Sequence, residues 1–382
     1  DRKQAVIGRL IKGVTNLVGC NDIDLFSGTG RRGNDRKVTV QLDDGTEQVL
    51  SGDFVVLAAG SQARTLTGFE IDGNTVLSSD ELLSLRTLPT SAAIIGGGAI
   101  GCEFASMLAD LGTQITILET VERLIPGADA DIAHALERSF KKRGIKTITG
   151  VTADGHSPQP GGTIVQLNDG TEIEVEKVVV CVGRRPYTDH LELSETSIEL
   201  DEHGFVNVDE FCRTNVDGVY AVGDLIATPQ LAHIGFAEAM LVVSDILGEQ
   251  RTPINYSQIP WAIYCHPEVA YAGLTEEEAV EVGYEVAVAQ HRFAGNPRAL
   301  SHNQTEGMVK IVAERRPNGT AGKLLGVHLI GSWATEQLSQ GYLAINWGVG
   351  IDEIAEFIQP HPTLSELFGE AVLELAGRTL HG

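Results

Sequence analysis

The residues best suited to chemistry lie near the C-terminus, in the stretch His361-Pro-Thr-Leu-Ser-Glu366. Proline favours an extended conformation in the residue before it, so His361 should enter a turn. Thr363 and Glu366 match a capping box at the start of a helix. A carboxylate bonded to one imidazole nitrogen fixes the tautomer and raises the basicity of the other nitrogen, which makes a general base near neutral pH. The alternative is that Glu366 only caps the helix and His361 is a surface turn residue.

A second stretch predicts a dinucleotide site. The apolar run 92–95 ends in Gly96-x-Gly98-x-x-Gly101, and a helical pattern follows. The glycines permit a tight turn and close approach of the backbone to a pyrophosphate, which the free N–H groups at the helix start can bind. A second apolar run ends at Glu119, close to the spacing of roughly 20 residues expected for an acid that binds ribose hydroxyls. Because this acid repels a 2′-phosphate, and Thr120 and Val121 after it supply no arginine to bind one, the motif favours NAD over NADP. The alternative is a glycine-rich turn without a ligand.

Three further apolar runs end in glycine, at 54–60, 178–183 and 219–223. Continuous apolar runs bounded by glycine are typical of buried parallel strands. Open α/β sheets bind ligands beyond the carboxyl ends of such strands. Asp224, directly after the last run, could therefore bind a polyol hydroxyl, although an aspartate there could equally cap a helix.

Taken in order, these stretches resemble the pyridine nucleotide–disulfide oxidoreductases, and the resemblance covers essentially the whole chain. The stretches that carry it are Ala58-Ala-Gly-Ser61, Gly96-Gly-Gly-Ala-Ile-Gly-Cys-Glu103, Val182-Gly-Arg-Arg-Pro186, Tyr220-Ala-Val-Gly-Asp224, Gln230-Leu-Ala-His233, His266-Pro-Glu-Val-Ala270 and His361-Pro-Thr-Leu-Ser-Glu366. The resemblance implies FAD and NAD as cofactors. It is greatest to the members that oxidise dihydrolipoyl groups of 2-oxoacid dehydrogenase complexes and reduce NAD+.

The resemblance also assigns roles to residues. It implies that His361 is the catalytic acid/base and that Glu366 orients it. The residues implied to contact FAD are Gly30, Ala59, Gly60, Ser61, Asp224, Gln230, Leu231, Ala232 and His233. The residues implied to contact NAD are Gly96, Gly97, Gly98, Ala99, Ile100, Gly101, Cys102, Glu103, Glu119, Val151 and Gly183. It further implies a homodimer in which His361 reaches the active site of the other subunit, and a lipoyl-bearing acyltransferase as a partner.

The chain departs from this family at its start, since neither an FAD-binding Gly-x-Gly-x-x-Gly nor a redox-active Cys-x4-Cys is present. The five cysteines are too widely spaced to supply that pair. We expect that a segment on the order of a hundred residues, half of a nucleotide-binding unit, is missing and that the sequence is a fragment rather than a pseudoenzyme. The alternative functions are another NAD(P)H-dependent flavin disulfide reductase and a non-catalytic dimerisation fragment.

Composition is consistent with a soluble globular enzyme of 382 residues, 42% hydrophobic and 21% charged. A net charge of −24 argues against binding to nucleic acid or to anionic membrane surfaces. No apolar run approaches the ~18 residues of a membrane span. The scattered cysteines favour a reducing compartment, which predicts the cytoplasm, and the histidines show no metal-ligand spacing.

The pattern predicts an α/β fold with a C-terminal α+β segment. The resemblance implies that its parts are FAD- and NAD-binding Rossmann-like domains plus a C-terminal α+β dimerisation domain. We place the FAD-binding domain at 1–66 and 188–258, the NAD-binding domain between them at 67–187, and the dimerisation domain at 259–382. The chain opens on a helical pattern. Turn signals at 43–45 and 168–170 predict two β-hairpins, and strands followed by helices predict the α+β layer of the last segment.

Overall fold

The computed structural model describes residues 2–33, 36–193 and 196–380. The chain forms two compact units, Asp1–Gln62 with Arg185–Ile254, and Ala63–Arg184 with Asn255–Gly382. The four predicted domain segments, with boundaries near 66, 187 and 258, stay a prediction. No helix in the described ranges has both the length and the apolar content of a membrane span.

The helices of the described residues are, in chain order, α1 (Arg2–Cys20), α2 (Ser79–Ser84), α3 (Ala99–Asp110), α4 (Ala130–Lys142), α5 (Ala232–Ile246), α6 (Glu276–Glu281), α7 (Pro297–Ser301), α8 (Ala334–Trp347), α9 (Ile351–Ile354) and α10 (Glu366–Leu375). The strands are β1 (Gly28–Arg32), β2 (Lys37–Leu42), β3 (Glu47–Ser51), β4 (Val55–Leu57), β5 (Ser61–Ala63), β6 (Val76–Leu77), β7 (Ser91–Ile95), β8 (Gln114–Leu118), β9 (Lys146–Ile148), β10 (Ala153–Gln159), β11 (Gly162–Leu167), β12 (Glu172–Val175), β13 (Lys177–Val180), β14 (Arg184–Pro186), β15 (Val219–Ala221), β16 (Pro260–Ile263), β17 (Glu268–Gly273), β18 (Val286–Arg292), β19 (Gly307–Arg315) and β20 (Ala321–Gly331).

The first unit contains an antiparallel sheet and a parallel strand pair. Strands β1, β2 and β3 form the sheet, and the predicted hairpin at Asp43-Asp44-Gly45 is confirmed, with Gly45 at φ +86°. Strands β4 and β15 pair in parallel. Strand β15 is buried throughout, but Val56 in β4 is 44% exposed. The prediction of a buried strand is therefore correct for Leu57 but wrong for Val56 in β4, which pairs only with β15 among the described strands.

The second unit is built around a five-stranded parallel sheet of order β6-β13-β7-β8-β9. Ile94 in β7, Ile117 in β8 and Val179 in β13 are fully buried. Burying each such side chain stabilises the fold by roughly 1.5–3 kcal/mol. Helices α3 and α4 pack against this sheet and bury its side chains. Apolar residues therefore occupy successive positions in the strands, as is typical of covered parallel sheets. This sheet carries the predicted glycine turn between β7 and α3.

The C-terminal part of the second unit is an antiparallel sheet of order β16-β17-β20-β19-β18, with α8 and α10 packed against it. Leu329 in β20, Leu338 in α8 and Phe368 in α10 belong to one buried cluster. The predicted α+β layer is confirmed.

The second predicted hairpin is also confirmed, as β11 and β12 around the turn at 168–170.

A buried ion cluster joins α4, α6 and β19 within the second unit. The Nζ atom of Lys310 in β19 lies 2.9 Å from Asp129 Oδ1, 2.7 Å from Asp131 Oδ2 and 2.7 Å from Glu276 Oε2. The Lys310 side chain is 2% exposed and that of Asp129 is 1% exposed. Burial alone would lower the pKa of Lys310, but its hydrogen bonds to the three carboxylates outweigh burial and raise that pKa.

Candidate active site

The predicted catalytic pair is formed. His361 Nδ1 lies 2.7 Å from Glu366 Oε1, with the histidine side chain 62% exposed and the glutamate side chain 14% exposed. The other carboxylate oxygen, Glu366 Oε2, accepts a hydrogen bond of 2.7 Å from the backbone N–H of Thr363. The hydrogen bond that the catalytic hypothesis requires and the one expected from a helix cap are therefore both present, because each uses a different oxygen of the Glu366 carboxylate. The catalytic role of the pair stays a prediction.

The capping box itself is only half formed. Helix α10 begins at Glu366 after Ser365, whose side chain makes no capping hydrogen bond. The Thr363 hydroxyl donates to the carbonyl of Pro360 at 2.8 Å instead of accepting from the helix start. The predicted N-cap at Thr363 is therefore wrong, since residues 364–365 form a turn that separates it from the helix.

Two residues that sequence reasoning missed hold the turn before α10. Asn296 Nδ2 donates to the carbonyl of Thr363 at 2.9 Å, while its Oδ1 accepts from Ala299 N at the start of α7. Gln340 Nε2 in α8 donates to the carbonyl of Ser365 at 3.4 Å. The asparagine–proline pair at 296–297 is a recognisable helix start, but nothing in the sequence relates it to a turn 67 residues away.

A cavity of about 190 Å³ lies beside the catalytic pair, and its lining includes His291, His361, Glu366 and Glu370. His291 Nε2 lies 2.8 Å from Glu374 Oε2, which makes a second histidine–carboxylate pair at the same face of α10. The three glutamates recur every four residues and therefore line one side of that helix. The exposed edge of the His361 ring faces away from Glu366 and can be approached by a substrate.

The glycine turn has the geometry that a dinucleotide requires. Gly96 has φ +108°, and a Cβ atom there would overlap the carbonyl of Cys181. A Cβ atom on Gly101 would overlap the carbonyl of Gly96, so helix α3 could not approach the turn so closely with any other residue. Gly98, at the N-cap of α3, provides no side chain to occupy the first N–H groups of the helix. These groups fit a pyrophosphate.

Glu119 lies at this turn, as its spacing suggested. Its Oε2 accepts a hydrogen bond of 2.6 Å from Gly97 N, and its Oε1 accepts from Val121 N at 3.0 Å. The backbone N–H of Val151 donates to the Glu119 carbonyl at 3.1 Å, which brings Val151 beside the same strand end. This carboxylate is placed at the carboxyl edge of the parallel sheet, where the ribose of a bound dinucleotide would lie.

The remaining residues of the predicted NAD set differ in exposure. Cys102 is fully buried, its thiol donates to the Gly97 carbonyl at 3.3 Å, and burial raises the pKa of that thiol, so its side chain belongs to the core. Glu103 Oε1 accepts from Tyr264 N at 2.8 Å, and burial raises the pKa of Glu103. Gly183 has φ +104° and its carbonyl accepts from Arg64 N at 3.0 Å. Ala99 and Ile100 form the partly exposed first turn of α3.

In the first unit the structure brings Ser61 and Asp224 together. Ser61 Oγ donates to Asp224 Oδ2 at 2.5 Å, at the carboxyl end of the β4–β15 pair. The preceding residue, Gly223, donates its N–H to Glu238 Oε2 at 2.6 Å. Glu238 is fully buried in α5. Sequence reasoning did not find its role, because the backbone N–H of Gly223 that it binds lies outside α5. This hydroxyl–carboxylate arrangement suits the polyol of a flavin nucleotide.

The other predicted FAD contacts lie around this pair. Gly60 has φ +74° and its carbonyl accepts from Tyr187 N at 2.9 Å. Gln230 Nε2 is buried without a hydrogen-bond partner among the described residues, which suits a group that bonds a ligand. Leu231 is the N-cap of α5, and Ala232 and His233 form its first turn. Ala59 lies between β4 and β5, whereas Gly30 lies in β1 of a different sheet.

Comparison with known proteins establishes the family. Residues 3–239 match the family described as pyridine nucleotide-disulphide oxidoreductase, and residues 259–372 match its dimerisation domain. The chain belongs to this family. The predicted family, the Rossmann-like fold class and the cofactors FAD and NAD are therefore confirmed.

Curated relatives and solved structures agree with this assignment. Dihydrolipoyl dehydrogenase of Bacillus subtilis (strain 168) is 37% identical over 394 residues, an alignment that covers 100% of this chain and 82% of the relative. Dihydrolipoamide dehydrogenase of Chaetomium thermophilum is 36% identical, with 100% and 75% covered. The Cu(II) complex of the HOCl-induced flavoprotein disulfide reductase RclA from Escherichia coli has a TM-score of 0.90 and 26% identity, and the match covers 97% of this chain and 83% of that one.

Proposed function

We propose that this oxidoreductase is a dihydrolipoyl dehydrogenase, which oxidises dihydrolipoyl groups of 2-oxoacid dehydrogenase complexes and reduces NAD+. The observation that carries the proposal is the hydrogen bond between His361 Nδ1 and Glu366 Oε1. A dithiol substrate needs a base, because a thiol with a pKa of about 8.5 is mostly protonated at neutral pH and the thiolate is the nucleophile. The Glu119 carboxylate at the glycine turn supports NAD rather than NADP.

The pair directs the proton as follows. With its Nδ1–H donated to Glu366, neutral His361 presents Nε2 as an acceptor to the substrate thiol. The imidazolium that forms after proton transfer is stabilised by the carboxylate, and the proton is later released to solvent. Ser61 and Asp224 would hold the polyol of FAD, and the turn at 96–101 with Glu119 would hold NAD. FAD, when bound, supplies the two-electron chemistry that links the thiols to the nicotinamide. The disulfide that a substrate thiolate attacks is not assigned to any cysteine of this chain.

The same proposal includes a homodimer. Trp347 at the end of α8, together with Phe357 and Ile358, exposes large apolar side chains in the segment that matches the dimerisation domain, and Ile358 is 96% exposed. Contiguous exposed apolar residues mark association surfaces. Phe357 and Ile358 lie a few residues before His361, so dimerisation would bring the base towards the partner subunit, where we expect the flavin of the other active site. We further propose a lipoyl-bearing acyltransferase as the physiological partner and the cytoplasm as the location.

A second candidate is an NAD(P)H-dependent reductase of another disulfide. The close structural likeness to the RclA disulfide reductase favours it. The two functions differ in the direction of electron flow and in the thiol that is used.

The deciding experiment uses protein expressed from the complete reading frame. NADH formation from dihydrolipoamide and NAD+ is followed by absorbance and compared with NADH oxidation in the presence of lipoamide, glutathione disulfide and cystine. The proposal predicts fast NADH formation from dihydrolipoamide and little turnover with the other disulfides. A preference for a disulfide other than lipoamide would select the second candidate, and flavin content without turnover of any of them would contradict both.

A further inference from the structure

A groove on the outer face of the parallel sheet has no role in the proposed catalysis. It lies between α4 and the edge strand β9 and has a volume of about 750 Å³. Basic side chains dominate its lining, namely Arg138 and Lys141 from α4 and Lys146 from β9, with His134 one helical turn before Arg138. Because residues three or four apart share a helix face, Arg138 and Lys141 lie on the same side of α4, about 4.5 Å apart along the helix axis.

Among the described residues, these three cations are not paired with acidic side chains, although the carboxylate of Glu137 also lines the groove. In the ranges that the structure describes, Arg138, Lys141 and Lys146 take part in no ion pair and no side-chain hydrogen bond. The one carboxylate in the groove, Glu137, uses its Oε1 to accept from Leu124 N at 3.1 Å. In a protein of net charge −24, three unpaired cations around one groove form a local positive field that attracts anions.

The neighbouring basic residues behave differently, which shows that acidic partners are accessible in this region. Lys142 Nζ lies 3.0 Å from Glu306 Oε1, and Arg143 lies 2.6 Å from Asp110 Oδ1. A lysine in the last turn of α4 also stabilises the helix dipole, and this accounts for Lys141. It does not account for Arg138, which is a turn further back, or for Lys146, which is in a strand.

We propose that this groove binds a small anion with two or more linked phosphate groups. A guanidinium beside two ammonium groups suits phosphate oxygens, since arginine bonds them in a fork and lysine supplies point charges. The volume lies within the range of small-molecule sites, and three cations from two elements can contact more than one phosphate group. The inorganic polyphosphates and the nucleoside polyphosphates share this chemistry. The three cations lie on α4 and β9, whereas the glycine turn lies between β7 and α3. The carboxyl end of β9 adjoins that turn, since the Ile148 carbonyl accepts a hydrogen bond of 2.9 Å from Glu119 N.

The test is calorimetric titration of the 382-residue protein with inorganic pyrophosphate, tripolyphosphate and ATP, with NADH present at saturation so that the glycine turn is occupied. We expect binding with a Kd on the order of 10⁻⁴ M that weakens at high salt, as exposed charges require. The triple variant Arg138→Gln/Lys141→Gln/Lys146→Gln should bind at least about tenfold more weakly. Lys142→Gln, which removes the same kind of charge from the same helix, is the matched control and should bind as the unmodified protein does.

The relative affinities of the probes identify the recognised group. Tighter binding of ATP than of tripolyphosphate would identify the ligand as a nucleotide, and equal binding would identify the phosphate chain alone as the recognised group. No binding of any probe, or equal weakening in the triple variant and in Lys142→Gln, would overturn the proposal. Binding that occurs only when NADH is omitted from the titration would also overturn it, because the anion would then occupy the dinucleotide turn.

Discussion

The carboxylate of Glu119 bonds directly to the backbone N–H of Gly97, at 2.6 Å, and so ties the end of β8 to the turn that precedes α3. The acid that would select the ribose is thus held by the same glycine-rich turn that would bind the pyrophosphate. Nucleotide selectivity and the shape of the turn are coupled through this one hydrogen bond.

Replacing Glu119 should therefore change nucleotide preference. The unmodified protein should bind NADH more tightly than NADPH. Glu119→Ala should weaken NADH binding by roughly 10- to 100-fold, because hydrogen bonds to a charged group contribute about 1.5–3 kcal/mol. Glu119→Gln keeps an acceptor for Gly97 N–H and removes the negative charge. It should therefore reduce the preference for NADH over NADPH while losing less NADH affinity than Glu119→Ala does. Titration calorimetry with both nucleotides measures this, and tighter binding of NADPH by the unmodified protein would refute the assignment.

In protein from the complete reading frame, His361→Gln should lower dihydrolipoamide oxidation by about 10²–10⁴, the range for loss of a general base. Reduction of the flavin by NADH should change far less, because hydride transfer does not need this base. The two half-reactions can be measured separately by stopped-flow absorbance. Equal loss in both would indicate that His361 serves folding or dimerisation instead.

Glu366→Gln should lower the same rate by less than His361→Gln does. The amide can keep its oxygen towards Thr363 N, but its NH₂ group then faces His361 Nδ1 and favours the tautomer that carries the proton on Nε2. That tautomer cannot accept a proton from a thiol, so the rate should depend on the minor tautomer. Asn296→Ala provides a control, because it loosens the same turn without touching the imidazole. A larger loss in Asn296→Ala than in Glu366→Gln would show that the turn, rather than the tautomer, limits the rate.

The 382-residue chain alone should not oxidise dihydrolipoamide. Cys102 and Cys265 are buried, and burial raises the pKa of Cys265 to about 12, so neither thiol is available as a thiolate near pH 7. Burial likewise raises the pKa of Cys181 and of Cys212 to about 12. Cys20 is exposed, but a single exposed thiol cannot supply a redox disulfide. Purified protein of this length should bind NADH but give no NADH formation from dihydrolipoamide. Appreciable turnover would require a different mechanism.

The buried cluster around Lys310 should dominate the acid stability of the second unit. Burial acts to raise the pKa of Asp129, but His328 and Lys310 lower it overall. A carboxyl group with a lowered folded-state pKa contributes stability above its unfolded pKa of about 3.9, and this stability is lost as the pH falls through the folded value. Lys310→Met should cost about 3–5 kcal/mol at pH 7, since it leaves a buried carboxylate unpaired.

Urea unfolding followed by tryptophan fluorescence measures this effect, because Trp261, Trp333 and Trp347 all lie in the second unit. In Lys310→Met the carboxylate of Asp129 has no cationic partner and should take up a proton more readily. The decrease in the free energy of unfolding relative to the unmodified protein should therefore be smaller at pH 5 than at pH 7. The control is Arg316→Met, which removes an exposed ion pair with Asp352 and should cost less than about 1 kcal/mol. Equal costs for the two variants would contradict the assigned role of Lys310.

Sequence reasoning succeeded where the determining contacts are local. The glycine turn at 96–101, both hairpin turns and the pairing of His361 with Glu366 each depend on residues a few positions apart, or on one strand–helix–strand unit with a known spacing. It failed where a role depends on packing between distant elements. Asn296 and Glu238 have no periodic signal, and the exposure of Val56 depends on which strands flank β4, which its own apolar sequence does not reveal.

The two oxygens of Glu366 serve the backbone and the imidazole at once, and this has an evolutionary consequence. A substitution of Glu366 that changes the basicity of His361 also disturbs the hydrogen bond at the start of α10. A substitution there that changes the start of α10 also changes the environment of His361. Relatives that give up proton transfer here would have to rebuild the turn in the same step. The position is therefore a poor starting point for gradual divergence, and new substrate specificities are more accessible through changes in the cavity wall formed by residues such as His291.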